Sequence, residues 1–375
     1  MKKINLGLVF GGKSGEHEIS LLSAQSIFKA LDKNKYNIYL IAISKQGDFM
    51  LMNKNYYLLN PDNLKLIKIN EKVGIKITFI YNQNQPLIYD LKSKKIIDYI
   101  DVFFPIIHGT YGEDGCLQGF FEILNVAYVG SEVLGSVIGM AKDIQKTILQ
   151  KNKINVANFL TINYWQFKKR QFKALKTFIK KYHWPVFVKP ANLGSSVAVN
   201  KVNNEKQINK ALKEVFVYDE KALIEQYIKG KEVECSIIGN DKPSTSKTLA
   251  EIIPSKKYEF YSYQAKYLDE NGAQLLIPAR IDKKTTEKIK KIALKTYQLL
   301  QAKGFARIDF FVDKNNKVYV NEINTLPGFT NISMFPKLLI NSGFSYQQII
   351  DKLIQLALER KKFKDKLLRN YQSNK

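Results

Sequence analysis

Two segments near the end of the chain, residues 305–312 and 317–323, carry polar side chains at alternate positions between apolar ones. This period of two is typical of β-strands. The Lys-Asn-Asn-Lys sequence at 314–317 favours a tight turn between them, because asparagine tolerates a positive φ. The segment is therefore predicted to form a β-hairpin with its polar side chains on one face.

Four of these polar side chains could do chemistry together. A turn centred on the two asparagines places Asp309 opposite Glu322 and Arg307 opposite Asn324. Two carboxylates and an amide oxygen are hard ligands of the kind that Mg²⁺ prefers, and phosphate oxygens can complete its shell. A solvated face with charges at random is the alternative, and it is disfavoured because the opposite face is apolar.

A lysine ends another apolar, strand-like segment, at Lys189, and the sequence Pro-Ala-Asn-Leu-Gly-Ser-Ser follows it. Gly194 lets the backbone approach a phosphate closely. The hydroxyls of Ser195 and Ser196 can donate hydrogen bonds. A lysine at the end of a strand is common, but its combination with a glycine-serine loop predicts a phosphate-binding role.

A second possible phosphate site is a misleading match. Gly7, Gly12, Lys13 and Ser14 formally satisfy the P-loop pattern G-x-x-x-x-G-K-[ST]. In a P-loop the intervening residues wrap around a phosphate, whereas residues 8–10 continue an apolar strand. A P-loop NTPase remains an alternative, and its activity would depend on Lys13.

The elements that must position these residues alternate between strands and helices, which is typical of the α/β class. The opening predicts a strand at 4–10, a helix at 18–31 and a strand at 38–43, and therefore a doubly wound first domain. The predicted domain boundaries are 1–130, 131–225 and 226–375.

A helix is also predicted at the start of the second domain, where Ser131 is a good N-cap. Its apolar residues recur at spacings of three and four, which indicates one buried face. This predicted stripe consists of Leu134, Val137, Ala141, Ile144 and Ile148.

The composition narrows the class of protein. A chain of 375 residues with 45% apolar and 25% charged residues is an ordinary globular protein of two or three domains. Its two isolated cysteines and three histidines make a zinc site improbable. The chain opens on a strand pattern rather than a signal peptide, and no apolar run is long enough to span a membrane. We therefore expect a soluble, cytoplasmic protein.

The formal net charge of +25 raises nucleic-acid binding as an alternative. The lysines are spread over the whole chain, and only residues 360–375 form a basic cluster. We therefore expect no nucleic-acid partner, although a positive field would attract a polyphosphate substrate. A nucleic-acid-binding protein would instead show a steep salt dependence and no ADP release with amino acids.

Seven ordered motifs resemble the ATP-grasp superfamily and, within it, the D-alanine:D-alanine ligases. They are GGKSGEHEISLLSA (11–24), HGTYGEDGCLQG (108–119), FVKPANLGSSVAV (187–199), IEQYIKGKEVECSIIG (224–239), YQAKY (263–267), ARIDFF (306–311) and NEINTLPGFTNISMFP (321–336). The resemblance implies an ATP-grasp fold, with two α+β subdomains clasping ATP at 131–225 and 226–375. A Rossmann-like substrate domain would precede them.

The resemblance also implies how ATP is bound. Lys142 and Lys189 are similar to lysines that hold the α- and β-phosphates, and Glu232 is similar to an acid that binds the ribose. The implied ATP-binding residues are Lys142, Lys189, Ser196, Glu225, Gln226, Ile228 and Glu232. ATP and two Mg²⁺ ions, with Mn²⁺ as a substitute, are the implied cofactors, and Asp309, Glu322 and Asn324 would hold the metal.

For the amino-acid substrates, Glu16 resembles a carboxylate that binds the ammonium of the first D-alanine, with Ser195 and Tyr267 as its hydrogen-bond partners. Arg307 and the backbone N–H of Gly328 resemble oxyanion donors. Lys266 and Ser333 resemble groups that bind the carboxylate of the second D-alanine. The implied substrate-binding residues are His108, Lys266, Ser333 and Met334.

The implied reaction is ATP-dependent ligation of two D-alanines through a D-alanyl phosphate, for peptidoglycan precursor synthesis, by a homodimer. A D-alanine:D-lactate ligase is the alternative, and it is disfavoured because Tyr267 retains the phenol associated with dipeptide formation. The chain departs from the family pattern at four positions, which affect a predicted lid at 258–270 more than the reaction. They are Ala141, Ala198, Ser262 and Gln264.

Overall fold

The computed structural model describes residues 2–82, 85–260, 269, 271–330 and 332–368. Three large sheets of eight, four and six strands form its framework. Within the described ranges, the helices are all too short or too polar to cross a bilayer. The predicted boundaries at residues 130 and 225 stay predictions.

The N-terminal part of the chain forms the eight-stranded sheet, in the order β10-β9-β1-β2-β3-β6-β7-β8. Its centre is parallel, because β1 pairs with both β2 and β9 in that sense. The short β4 and β5 pair with each other in a separate two-stranded sheet. The strands are β1 (Ile4–Gly11), β2 (Tyr36–Ile43), β3 (Phe49–Met52), β4 (Leu58–Leu59), β5 (Lys68–Ile69), β6 (Gly74–Asn82), β7 (Gln85–Asp90), β8 (Lys95–Tyr99), β9 (Val102–Pro105) and β10 (Ala127–Tyr128).

The predicted opening strand and helix are confirmed. β1 extends through Gly11, so the residues between the two P-loop glycines lie within the strand, and the P-loop interpretation is wrong. Two helices belong to this part, α1 (His17–Ala30) and α2 (Cys116–Ile123), and a short 3₁₀ turn lies at Glu71–Val73. α1 buries Leu21, Ala24 and Ile27 because they lie three residues apart on one helix face.

The second part contains the four-stranded antiparallel sheet, in the order β11-β14-β12-β13. Its strands are β11 (Phe159–Asn163), β12 (Val186–Pro190), β13 (Asn200–Val202) and β14 (Lys221–Gln226). Its helices are α3 (Val133–Met140), α4 (Lys142–Lys151), α5 (Tyr164–Lys168), α6 (Lys173–Tyr182) and α7 (Glu205–Val215).

The single helix predicted after Ser131 is wrong in three respects. The chain breaks at Ala141, whose ψ of 89° is not helical, because the next amide donates to the Ala191 carbonyl instead. The predicted apolar stripe is also largely exposed, with Leu134 at 58% and Val137 at 44% exposure. Ser131 does not cap the helix, since its hydroxyl bonds to the backbone of Lys303. The buried face of α4 is instead a polar one.

The third part contains the six-stranded antiparallel sheet and, among its described residues, three helices. Its strands are β15 (Gly230–Ile238), β16 (Ser244–Thr245), β17 (Ala250–Pro254), β18 (Ala273–Leu276), β19 (Phe305–Asp313) and β20 (Val318–Asn324). Its helices are α8 (Lys283–Leu299), α9 (Met334–Asn341) and α10 (Tyr346–Lys364). α10 packs back on the N-terminal sheet, where the Arg360 guanidinium donates to the carbonyls of Tyr128 and Gly130. The chain's two ends therefore share one hydrophobic core.

Candidate active site

The predicted hairpin forms, and its four polar residues pair as expected. Asp309 lies opposite Glu322 and Arg307 lies opposite Asn324 across β19 and β20. The register nearer the turn differs by one residue, since Val312 pairs with Val318. A bulge at Asn321 absorbs this difference, because two residues of β20 then oppose one residue of β19.

Arg307 is held by two carboxylates on this face. Its guanidinium donates to both oxygens of Asp309, from Nε and Nη2 at 2.7 Å each, and its Nε lies 3.2 Å from Glu234. Burial alone would lower the pKa of Arg307, but these carboxylates outweigh it and raise that pKa. The Asn324 amide also donates to Asp309, at 3.0 Å. The cation is therefore fixed beside the candidate metal ligands.

Two lysines lie on the opposite wall. Lys142 begins α4, and its ammonium lies 3.4 Å from Glu322 while it donates to the Leu193 carbonyl at 2.7 Å. Lys189 is the penultimate residue of β12, and its ammonium lies 2.8 Å from Glu225 on the adjacent β14. Burial disfavours its charge, but Glu225 and then Glu322 overcome that effect and raise the pKa of Lys189.

The glycine-serine loop lies against the first helix of the chain. The Ser195 hydroxyl donates to the Glu16 carboxylate, which connects two residues predicted to share a substrate. Ser195, Ser196 and Ala198 all have a positive φ between 52° and 57°. Such conformations favour glycine, so the side chain of Ala198 costs about 1 kcal/mol at this position.

His108 is also buried. Its Nδ1 lies 3.1 Å from the Leu326 carbonyl and 3.4 Å from Glu113, and its Nε2 lies 3.1 Å from the Ser23 hydroxyl. Burial alone would lower the pKa of His108, but the hydrogen bond to Glu113 raises it overall. The imidazole therefore joins Ser23, Glu113 and Leu326 beside the site. Its predicted contact with substrate stays a prediction.

Gly328 and Ser333 lie together before α9. A Cβ added to Gly328 would come within 3.0 Å of the Ser333 hydroxyl, which also accepts from the Thr330 amide at 3.1 Å. Met334 is the buried first residue of α9. The predicted residues Lys266 and Tyr267, and the departures Ser262 and Gln264, lie outside the described residues.

A cleft of 380 Å³ joins the lysines, the glycine-serine loop and the hairpin face. Phe187, Phe260 and Phe311 give it an apolar side suited to a flat aromatic ring, while carboxylates and ammonium groups line the rest. The predicted residues that line it are Lys142, Lys189, Ser195, Ser196, Glu225, Gln226, Ile228, Glu232, Asp309 and Glu322. Glu16, His108, Arg307, Asn324, Gly328, Ser333 and Met334 lie outside that lining.

Comparison with known families gives two matches that together span most of the chain. Residues 5–131 match the family described as "D-ala D-ala ligase N-terminus", and residues 148–355 match "D-ala D-ala ligase C-terminus". The chain belongs to the D-alanine–D-alanine ligase family.

Similar proteins support this membership over the full length. The D-alanine–D-alanine ligase of Oceanobacillus iheyensis is 45% identical over 374 residues, covering 100% of both chains. D-alanine–D-alanine ligase A of Escherichia coli K12 is 43% identical and covers 96% of this chain and 97% of its own. Neither named relative is a depsipeptide ligase.

Solved structures of ligases have the same fold. The D-alanine–D-alanine ligase from Coxiella burnetii has a TM-score of 0.83 at 36% identity, covering 98% of this chain and 97% of its own. The VanG D-Ala:D-Ser ligase from Enterococcus faecalis has a TM-score of 0.80 at 29% identity, covering 95% and 100%. This ligase therefore has the predicted ATP-grasp fold and uses ATP.

Three buried charged residues of the ligase site were not identified from the sequence. Glu234 follows Glu232 by two residues on β15, so the strand period would have placed both in the cleft. Lys146 follows Lys142 by four residues on α4, so the helix period would have placed both on one face. Glu251, which accepts from the Arg280 amide, carries no comparable signal.

Proposed function

We propose that the protein couples two D-alanine molecules to D-alanyl-D-alanine through a D-alanyl phosphate, at the expense of ATP. The observation that carries this proposal is the paired face of Asp309 and Glu322 beside Lys142 and Lys189 in one cleft. A carboxylate is a poor electrophile, and phosphorylation provides it with a leaving group. The positive charges are suited to neutralising the transferring phosphoryl group.

The residues of the hairpin face fit a magnesium site. Asp309, Glu322 and Asn324 would hold the ion, because carboxylate and amide oxygens are ligands that it accepts together with phosphate oxygens. When bound, Mg²⁺ supplies charge neutralisation of the polyphosphate.

The nucleotide is proposed to lie with its phosphates at Lys142, Lys189 and Ser196, and with its adenine at the β14–β15 linker. The end of β14 supplies Glu225 and Gln226 to the cleft lining, and the linker after it supplies Ile228. Glu232 would accept from the ribose hydroxyls. These assignments follow from the family resemblance and from the presence of these residues in the cleft lining.

The first D-alanine is proposed to lie with its ammonium at Glu16 and its carboxylate toward Arg307 and the Gly328 amide. Arg307 would stabilise the phosphoryl oxygens first and then the oxyanion of the tetrahedral intermediate. The second D-alanine would be held by Ser333, Met334, His108 and Lys266, and Tyr267 would help to exclude water from the acyl phosphate.

The test is ADP release screened with D-alanine, L-alanine, D-lactate and D-serine, with the product identified by mass. We expect release to require D-alanine and the product to be D-alanyl-D-alanine. Ester product from D-lactate at neutral pH would support the depsipeptide ligase instead. No release with any of the four would overturn the proposal.

We also propose that the protein is cytoplasmic and forms a homodimer through α2, α3 and α4. These helices contact one another in succession and expose Ile123, Leu134 and Ile144, at 82%, 58% and 44%. Large exposed apolar side chains on neighbouring helices can mark a protein interface. Light scattering after size exclusion should give a dimer mass, and Leu134→Glu should give a monomer. A monomeric wild type would overturn this assignment.

A further inference from the structure

Lys146 is a buried charge for which the proposed mechanism has no use. Its side chain is 0% exposed, and it lies on α4 one turn after Lys142. Burying an ammonium costs several kcal/mol unless oxygen partners surround it. Its partners therefore indicate what this lysine does.

Those partners lie on two different sheets. The Lys146 ammonium is 2.9 Å from Glu225 on β14 and donates to the Asn321 carbonyl on β20 at 2.8 Å. Lys142, on the same face of the helix, similarly joins the Leu193 carbonyl to Glu322. α4 therefore bridges the four-stranded and six-stranded sheets where both border the cleft.

The contact with Asn321 is significant because this residue is the bulge in β20. Nearer the turn, Val312 pairs with Val318 and Phe310 pairs with Val320. If this register continued without a bulge, Asp309 would lie opposite Asn321. Glu322 would then pair with Ile308 and point to the apolar face. The bulge prevents this shift in register, and the Lys146 ammonium donates to the carbonyl of the bulged residue, Asn321.

The contact with Glu225 acts on the opposite wall. One oxygen of this carboxylate meets Lys146 and the other meets Lys189, so both determine its orientation. Burial would raise the pKa of Glu225, but the two ammonium groups overcome that effect and lower it. Lys146 therefore acts on the base end of the proposed nucleotide site as well as on its metal end.

We propose that Lys146 is a positioning residue that fixes the Glu225 carboxylate relative to the Asn321 bulge and so keeps Glu322 in register with Asp309. The inference rests on the proposed function, because it assigns these groups to nucleotide and metal. Lys146 itself lies outside the lining of the cleft. Its effect is transmitted by one ammonium that spans both walls of the cleft.

The test compares Lys146→Met with Lys151→Met, an exposed lysine on the same helix. Calorimetry should show ADP binding with Mn²⁺ weakened tenfold or more in Lys146→Met and unchanged in Lys151→Met. The KM for ATP should rise similarly, while the KM for D-alanine stays within about twofold of wild type. Lys146→Gln keeps a donor for the Asn321 carbonyl, so it should retain more of kcat than Lys146→Met.

A double-mutant cycle with Glu225→Gln tests whether Lys146 acts through this carboxylate. The two changes should weaken ADP binding by clearly less than the product of their separate effects. Independent effects, or a Lys146→Met protein that loses only thermal stability, would overturn the inference. If Lys146→Met does not fold, the same comparison with Lys146→Gln decides. Failure of wild type to form dipeptide would overturn the proposed function but leave the ADP-binding result interpretable.

Discussion

Asp309 and Glu322 lie directly opposite each other on neighbouring antiparallel strands, so their carboxylates share one face of the sheet. Arg307 and Asn324 form the next such pair on that face. Two carboxylates this close repel each other unless cations lie between or beside them. Arg307 meets this requirement at Asp309, and Lys142 meets it at Glu322.

The first prediction concerns Glu322→Gln. The change keeps the shape of the side chain but removes one negative charge, which weakens a hard-cation site directly. We expect an intact fold, with turnover at millimolar magnesium lowered by a factor on the order of 100, about 2.7 kcal/mol. ADP release as a function of magnesium concentration measures the effect.

The matched control is Glu287→Gln, on the exposed side of α8, which should behave as wild type. Near-normal turnover of Glu322→Gln at ordinary magnesium would refute the assignment of the hairpin face.

The second prediction concerns Lys189→Met. The buried ammonium has a fixed place at the end of β12, and a thioether cannot replace its charge beside phosphates. We expect the KM for ATP to rise tenfold or more, on the order of 1.4 kcal/mol. Lys13→Met, in the misleading P-loop match, is the control and should leave KM unchanged. An unaltered KM and kcat for Lys189→Met would make this lysine structural.

The hairpin could be predicted because its determinants are local. Alternating polarity and a turn sequence set which side chains share a face, and Asp309 and Glu322 met as expected. The bulge at Asn321 could not be predicted, because it depends on a helix lysine more than 170 residues earlier in the chain. The correct pairing therefore depended on a bulge that the sequence pattern did not reveal.

The helices after Ser131 show the opposite outcome. Their apolar stripe had the right spacing, but Leu134 and Val137 are exposed while Lys142 and Lys146 are buried. Periodicity reports which residues share a face and not what covers that face. A site rich in opposite charges can bury a polar face, and this is where the reasoning from hydrophobicity fails.

The third prediction concerns pH and His17, which is buried at the start of α1 with its Nδ1 2.7 Å from the Gly12 carbonyl. Burial lowers the pKa of His17 below its usual 6.5. Below pH 6.5 His17 therefore takes up a proton in the unfolded chain but not in the folded protein. The free energy of unfolding then decreases as the pH falls toward the lower pKa of the folded state.

His17→Gln removes this titration while retaining an amide donor near the same carbonyl. The difference in melting temperature between pH 7.5 and pH 5.5 should therefore be smaller in the variant than in wild type. An equal or larger difference would show that His17 is not the titrating group.

The last prediction concerns Tyr267 and the choice of nucleophile, and its motive is the contact between Ser195 and Glu16. The family resemblance adds the Tyr267 phenol to this pair, over the second-substrate site. Such a network would favour a neutral amine as nucleophile.

Tyr267→Phe removes one hydrogen bond, roughly 0.5–1.5 kcal/mol, and keeps the ring. We expect wild type to make dipeptide with little ester, and the variant to shift the product ratio toward D-alanyl-D-lactate without losing ATP use. Both acceptors compete in one reaction, and mass spectrometry gives the ratio. Because packing is preserved, an unchanged ratio would mean that the phenol does not control the nucleophile.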